Sequence, residues 1–272
     1  MNFTVEKEQE LLEFLLEKIK NKSKNTIKSL LSHEMVLVNK KVITKYNYLL
    51  KKNYTVEIIK KINDIDIIYE DNNIIVVNKP SGLLSISTEK ETEKTLYKYI
   101  SDYVKKSNKN AKIFVVHRLD KDTSGIVIFS KNQDFKNKLQ QNWNDEVIRN
   151  YYAVVEGILE KKSGIIKSYL KENSFHKTYS SNKGELAITN YEVIKTNDLY
   201  SLLKVNIKTG KKNQIRVHLS DINHPIVGDK KYGSKIRAKR LMLCAYNVEF
   251  KNNSKYKFEI PYPEEFKKYI KA

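Results

Sequence analysis

Apolar positions change their spacing along this chain, and each change marks an element. Over residues 8–20 they fall at Leu11, Leu12, Phe14, Leu15 and Ile19, the spacing of an amphipathic helix. Asn25 or Thr26 can cap a second short helix with Ile27, Leu30 and Leu31 on one side. Short apolar runs at residues 35–38, 42–43 and 54–59 read as strands, the first two joined by a polar turn at 39–41. Residues 60–66 are polar enough for a linker. The pattern predicts a small N-terminal domain over residues 1–62 and a larger one over 63–272.

In the larger domain, residues 67–82 read as strand, Asp-Asn turn, buried strand and a Pro/Gly loop. Leu96, Tyr97, Ile100 and Val104 recur at helical spacing and face a core. Apolar runs at 113–116 and 126–129 bracket a polar loop, as two buried strands would. Asn132 can cap a helix carrying Phe135, Leu139 and Trp143. Residues 147–157 read as a long strand and 171–184 as a polar loop. Ala187, Thr189, Tyr191 and Val193 alternate as a half-buried strand, and residues 202–207 form another. A helix over 214–219 puts Ile215 and Leu219 on one face and points Arg216 elsewhere. Pro261-Tyr262-Pro263 suits neither helix nor strand and closes the domain. There is no internal repeat.

Charge narrows the function. Lys and Arg number 51 against 32 Asp and Glu, a net charge of +19 on 272 residues. Compositional bias supplies lysines but does not require such an excess over acids. The excess implies a polyanionic partner, nucleic acid first and an acidic membrane surface second. No apolar run approaches the ~20 residues of a membrane span, and the N-terminus turns acidic without the apolar core of a signal peptide. A single cysteine, Cys244, excludes an internal disulfide, makes a Cys-based zinc site implausible and takes a reducing cytoplasm as the default.

The polar loop between the two buried strands, His117-Arg118-Leu119-Asp120-Lys121-Asp122-Thr123-Ser124-Gly125, concentrates the chemistry. A rigid scaffold presenting a charged loop is how folds build sites, although a plain capped turn has similar composition. His-Arg-Leu-Asp-x-Asp-Thr-Ser-Gly resembles the signature of the RluA family of pseudouridine synthases. Further motifs follow the family order. Lys79-Pro80-Ser81-Gly82 is similar to its opening motif, and Arg149-Asn150-Tyr151-Tyr152-Ala153-Val154-Val155-Glu156-Gly157 to its second, with Arg149 where Lys is usual. Gly210-Lys211-Lys212-Asn213-Gln214-Ile215-Arg216-Val217-His218 resembles the third, Lys211 and Asn213 replacing an Arg and a His. His224-Pro225-Ile226-Val227-Gly228-Asp229, Tyr232-Gly233 and residues 240–245 continue the pattern, with Cys244 where His is common. The two N-terminal helices and following strands, studded with Lys18, Lys20, Lys22, Lys24, Lys28, Lys40 and Lys41, resemble a small S4-type RNA-binding domain. The glycines often seen there are Lys40 and Asn53 in this chain. The alternative is a helical extension with solvated lysines.

The resemblance implies an α+β fold: a mixed, mostly antiparallel sheet with helices around it and a central cleft, plus a small α+β N-terminal domain. It implies isomerisation of uridine in RNA, and the S4-like domain, as an anchor for structured RNA, puts ribosomal RNA before transfer RNA. The reaction has no redox step and calls for no metal or cofactor; no membrane and no obligatory protein partner are expected, and a monomer is the default, since the sequence does not fix the oligomeric state. A carboxylate suits this work as a nucleophile or as a stabiliser of charge at C1′. The resemblance assigns that role to Asp120, with Asp122 the competing carboxylate. Arg216 matches the arginine that pairs with the catalytic acid, and Tyr151 the tyrosine against the base. His117 and Arg118 flank Asp120 as candidate RNA contacts, His117 alternatively satisfying a buried hydrogen bond; Leu219 is a candidate for the apolar floor. Two other readings compete, a noncatalytic RNA-binding or ribosome-assembly factor and a glycosidase. The chain offers no second acid motif for the latter, and the intact Asp120, Tyr151 and Arg216 argue against the former.

Overall fold

The computed structural model describes residues 2–19, 24–32, 35–58, 65–89, 91–92, 94–252 and 254–270. The chain divides into two compact units, Met1–Asp64 and Ile65–Ala272. Most of the expected linker, and Lys20 and Lys22, lie outside the described residues.

The first unit runs β1 (Asn2–Thr4), β2 (Gln9–Glu10), α1 (Leu11–Lys18), α2 (Lys24–Ser32), β3 (Val36–Val38), β4 (Lys41–Val42), β5 (Leu49–Leu50) and β6 (Thr55–Ile58). Strands pair in the order β1-β6-β3-β4, with β2 on β5. Leu11, Leu12, Phe14 and Leu15 of α1 are buried with Ile27, Leu31, Val36, Val38 and Val56, so the helical spacing read from the sequence is the spacing of the core. Helix α1 starts later than the periodicity suggests because Gln9 and Glu10 pair with Leu50 and Leu49. Asn39 and Lys40 join β3 to β4 with φ of 47° and 67°, the mirror-image turn that matches strand twist.

The second unit is built on one large sheet. Its elements are β7 (Asp66–Glu70), β8 (Ile74–Lys79), α3 (Leu96–Ser107), β9 (Phe114–Val115), β10 (Ser124–Ser130), α4 (Gln133–Gln141), α5 (Trp143–Glu146) and β11 (Ile148–Glu156). Then come β12 (Ser163–Glu172), β13 (Thr178–Ser181), β14 (Glu185–Thr196), β15 (Tyr200–Ile207), α6 (Gln214–Asp221), β16 (Leu243–Asn252), β17 (Ser254–Glu259) and α7 (Glu264–Ile270). The order is β13-β12-β14-β15-β11-β16-β10-β8-β7, with β17 on β16 and β9 on β10. Only β10 and β16 pair in parallel, through Ser124 with Cys244 and Gly125 with Ala245; the other strand pairs described are antiparallel. The mixed, mostly antiparallel α+β fold is as expected.

Caps and cores follow the sequence. Thr95 caps α3 by accepting from the Lys98 N–H, and Asn132 caps α4 by accepting from Asp134 and Phe135. Every residue of β10 is buried. Residues 171–184 correct the sequence reading: they form the end of β12, the hairpin and β13 rather than an open loop. This is the sheet edge. Its outer positions are solvated and its inner ones partly polar, Ser168 and Ser180 bonding each other at 2.8 Å, so no apolar alternation marks it. Strand β17 and helix α7 also carry no strong sequence signal, although Phe266 and Ile270 are buried.

Candidate active site

The loop between β9 and β10 is held at its C-terminal end and in its middle. Its C-terminal end enters β10 at Gly125, with φ of 114°. A Cβ there would lie 2.2 Å from the Ala245 carbonyl oxygen, so only glycine permits the close parallel pairing with β16. The middle of the loop is tied to the Pro/Gly segment after β8. Lys79 Nζ, fully buried, donates to the carbonyls of Leu83 (2.7 Å), Lys121 (3.0 Å) and Pro80 (3.1 Å). Ser81 Oγ donates to the Asp122 carbonyl at 2.6 Å, and Ser85 Oγ both donates to and accepts from the Leu119 backbone. Burial lowers the Lys79 pKa to about 7, against the pull of Asp122 and Asp120. Three carbonyls around one nitrogen match the three donors of the ammonium form.

This clamp presents Asp120 to a cavity of about 310 Å³. Three separate stretches line it: the loop with His117, Arg118, Leu119, Asp120 and Thr123; strand β11 with Arg149 and Tyr151; and the segment entering α6, from Gly210 to Arg216. Asp120 is the only acid among the described lining residues. Asp122 is exposed and does not line the cavity, which separates the two carboxylates of the loop. Burial pushes the Asp120 carboxyl up; Arg216 first, then Arg118, Lys79 and Lys212, hold it down. Burial also pushes the Tyr151 phenol up to about 12, with Asp120 adding to the effect and Arg149 opposing it, so Tyr151 keeps its proton at neutral pH. It offers a ring and an O–H rather than a resting base.

Arg216 corrects one expectation. Its guanidinium forms a bidentate ion pair with Asp229, Nε to Oδ2 at 2.7 Å and Nη2 to Oδ1 at 2.8 Å, and Nη1 donates to Asn213 Oδ1 at 2.8 Å. Asp120 is not its ion-pair partner among the described residues; the two act on each other through space across the cavity. Burial works against the Arg216 charge and the Asp229 bonds more than restore it, raising its pKa. Asp229 belongs to a motif visible in the sequence, yet nothing in the sequence marks it as the partner, because the pairing spans a helix and a turn.

Comparison with known proteins assigns the whole chain to a family. The family described as RNA pseudouridylate synthase matches this chain over residues 73–221. The chain belongs to the RNA pseudouridylate synthase family. Its members are isomerases that convert uridine in RNA to pseudouridine. The chain is 37% identical over 216 residues to ribosomal large subunit pseudouridine synthase D of Borreliella burgdorferi, covering 74% of this chain and 66% of that one. It is 32% identical to an uncharacterized RNA pseudouridine synthase of Aquifex aeolicus, covering 98% and 95% of the two chains. The fold is shared with human RNA pseudouridylate synthase domain containing 4, at a TM-score of 0.64 and 22% identity over 74% of this chain and 89% of that one.

Within this synthase fold, the other sequence candidates divide. His117 lines the cavity, but its Nε2 accepts the Ile128 N–H at 3.1 Å and its ring stacks on Trp143 at 4.6 Å. Burial, then Arg149, lowers its pKa to about 3. It is a neutral, hydrogen-bonded ring. Arg118 is exposed at the cavity edge. Leu219 is fully buried and is absent from the lining: only the first turn of α6 reaches the cavity, and Leu219 lies one turn further into the core. Leu119, Ile215 and Leu243 supply the apolar wall instead.

The departures from the family pattern have local reasons. Asn213 has φ of 55°, a conformation asparagine tolerates, and its side chain receives Arg216. Lys211 pairs with Glu185 at 2.5 Å. Cys244 is fully buried in β16, away from the cavity. Behind α6 runs a hydrogen-bonded file. Gln214 Nε2 donates to Thr189 Oγ1 (2.9 Å), which meets His218 Nδ1 (2.9 Å); His218 Nε2 meets Ser168 Oγ (3.0 Å), then Ser180 and the Asp221 carboxylate. An amide donor at one end and a carboxylate at the other give every hydroxyl one direction, which puts the His218 proton on Nε2. The file fixes the turn that carries Asn213 and Arg216.

Proposed function

We propose that this protein isomerises specific uridines in structured RNA, ribosomal RNA first, with Asp120 as the catalytic carboxylate, Tyr151 against the base and Arg216 as counter-charge. The observation that carries the reading is that Asp120, Tyr151 and Arg216, far apart in sequence, line one cavity with a single acid. The reaction breaks the N1–C1′ bond, turns the base and rejoins it through C5; N1 gains a proton and C5 loses one. Asp120 attacks C1′ or faces the positive charge that develops there. Arg216 keeps it ionised in a desolvated site. A flat base on the Tyr151 ring recovers about 1–3 kcal/mol of the unstacking cost of everting the nucleotide.

The choice of ribosomal RNA is supported by the relative named as a large subunit pseudouridine synthase. It is supported too by an S4-like reading of residues 1–62: two short helices followed by β3, β4 and β6, with β1 added to the edge of the same small sheet from ahead of the helices, and lysines exposed at positions 24, 28, 40 and 41. Lys40 and Asn53 hold positive φ of 67° and 70° where the resemblance calls for glycine. The test uses total RNA that lacks the modification. Wild-type protein is expected to introduce pseudouridine at discrete positions, and Asp120→Ala to bind the same RNA with no product. RNA binding without product from either protein returns the noncatalytic reading.

A further inference from the structure

Arg149 holds a charge that the chain does not neutralise. It is 4% exposed, and among the described residues it closes no ion pair. Its Nη2 donates to the Lys208 carbonyl at 3.2 Å, its Nε is buried without a partner, and its Cζ lies 5.9 Å from the Trp143 ring centroid. A buried cation is costly unless something pairs with it. Arg216 has Asp229; Arg149 has one carbonyl and the face of an indole. The position is also aimed. Arg149 and Tyr151 lie two residues apart on β11 and both line the cavity, while Asn150 between them bonds Asn206 and Asn247 elsewhere in the sheet. A regular strand advances about 7 Å over two residues, the scale of the base-to-phosphate separation in one nucleotide, and the register of β11 against β16 shifts between Asn150 and Tyr151.

Gly210 stands at the open end of this guanidinium. A Cβ at position 210 would lie 3.0 Å from Arg149 Nη1 and 4.0 Å from Asn144 Oδ1. The missing side chain leaves Nη1 approachable from the cavity, next to Lys211.

We infer that Arg149 is a phosphate anchor: its guanidinium, open beside Gly210, takes the phosphodiester attached to the nucleotide whose base lies against Tyr151. The inference rests on the reading of the cavity as the seat of an everted uridine. Asp120 is itself an anion and cannot hold that phosphate, and the base offers only neutral oxygens, whereas a phosphodiester brings the permanent negative charge that no described residue supplies at Arg149. Arg149 is then the contact that sets the distance between backbone and base, so that C1′ arrives over Asp120.

The test is a coupling measurement on the RNA identified with the wild-type enzyme. The RNA is prepared with a neutral methylphosphonate at the linkage 5′ or 3′ to the target uridine, with a 2′-O-methyl ribose before it to prevent cleavage; the charged control carries the same ribose. Wild type, Arg149→Met, Arg149→Lys and Gly210→Ala are compared by kcat/KM. Neutralising one of the two linkages is expected to slow wild type about ten- to hundredfold, the worth of a charge-assisted contact. Arg149→Met on charged RNA should lose the same factor and be insensitive to the linkage. Arg149→Lys should keep part of the sensitivity. Gly210→Ala retains the arginine and narrows its approach, so it should lose sensitivity even if Arg149→Met fails to fold. Losses that multiply, with the neutral linkage costing wild type and variants alike, overturn the anchor. Absence of pseudouridine with wild type on any RNA overturns the underlying reading, and is seen before a variant is made.

Discussion

Asp120 sits among cations that reach it through space, and the strongest of them is already shared. Asp229 holds Arg216 in place at 2.7 and 2.8 Å and also offsets its charge. The two variants of this pair should therefore move the acid limb of kcat/KM in opposite directions. On the proposed mechanism Asp120 must be ionised, and burial holds its pKa above its ordinary value, so activity is expected to fall as pH drops through that raised value. Arg216→Met removes the largest opposing charge and should shift the limb further up. Asp229→Asn leaves Arg216 charged but unneutralised and should shift it down, while breaking a buried pair costs about 3–5 kcal/mol of stability. pH–rate profiles with parallel urea melts separate the two effects. At this scale the sequence named the residues that meet at the cavity better than it named their partners. The loop wording singled out Asp120, and the cavity excludes Asp122. It could not show that Arg216 turns its fork to Asp229, that His117 is spent on the Ile128 N–H and Trp143, or that Leu219 lies a turn too deep. Those facts depend on where side chains from distant segments meet.

At the scale of elements, legibility followed hydrophobic contrast. Strand β10 and helices α1, α3 and α4 were visible because one period of apolar residues met one core. The hairpin of β12 and β13 was not: Leu170 of its inner face packs with Val217, but Ser168 and Ser180 beside it bond each other and Ser168 meets His218 of α6, so no apolar period marks it. Turn chemistry gives a direct check. Lys40 occupies a left-handed position that a mirror-image hairpin turn reserves for glycine, so Lys40→Gly should raise the stability of the first unit by about 1 kcal/mol. Lys79 provides a second check through linkage. Its folded pKa of about 7 lies below its ordinary value of 10.5, so between those values the unfolded chain binds more protons. Stability from this group rises with pH across that window, by at most about 1.4 kcal/mol per pH unit. Lys79→Met should lower stability, by leaving three carbonyls without their donor, and should flatten that slope. Urea midpoints from pH 7 to 10 read the slope apart from the offset.

Over the whole molecule, the question is what each unit does for RNA. Residues 1–64 carry 13 lysines, no arginine and 8 acids, so most of the excess positive charge belongs to the larger unit. Every described residue lining the cavity, the Lys79 clamp and the file behind α6 lie within residues 65–272. A chain beginning at residue 65 should therefore fold and keep Asp120, Tyr151 and Arg216 in register. Its affinity for RNA should drop without vanishing. Every phosphate that the protein neutralises steepens the dependence of log K on log salt by about 0.7–0.9, so deleting a lysine-bearing anchor with residues 1–64 must appear as a shallower slope. A truncated protein that turns over bound RNA at the wild-type rate, with weaker and less salt-dependent binding, assigns capture to the first unit and chemistry to the second. An unchanged slope would mean that the N-terminal lysines are solvated ornaments of a small folded unit, and that the larger sheet does its own RNA binding.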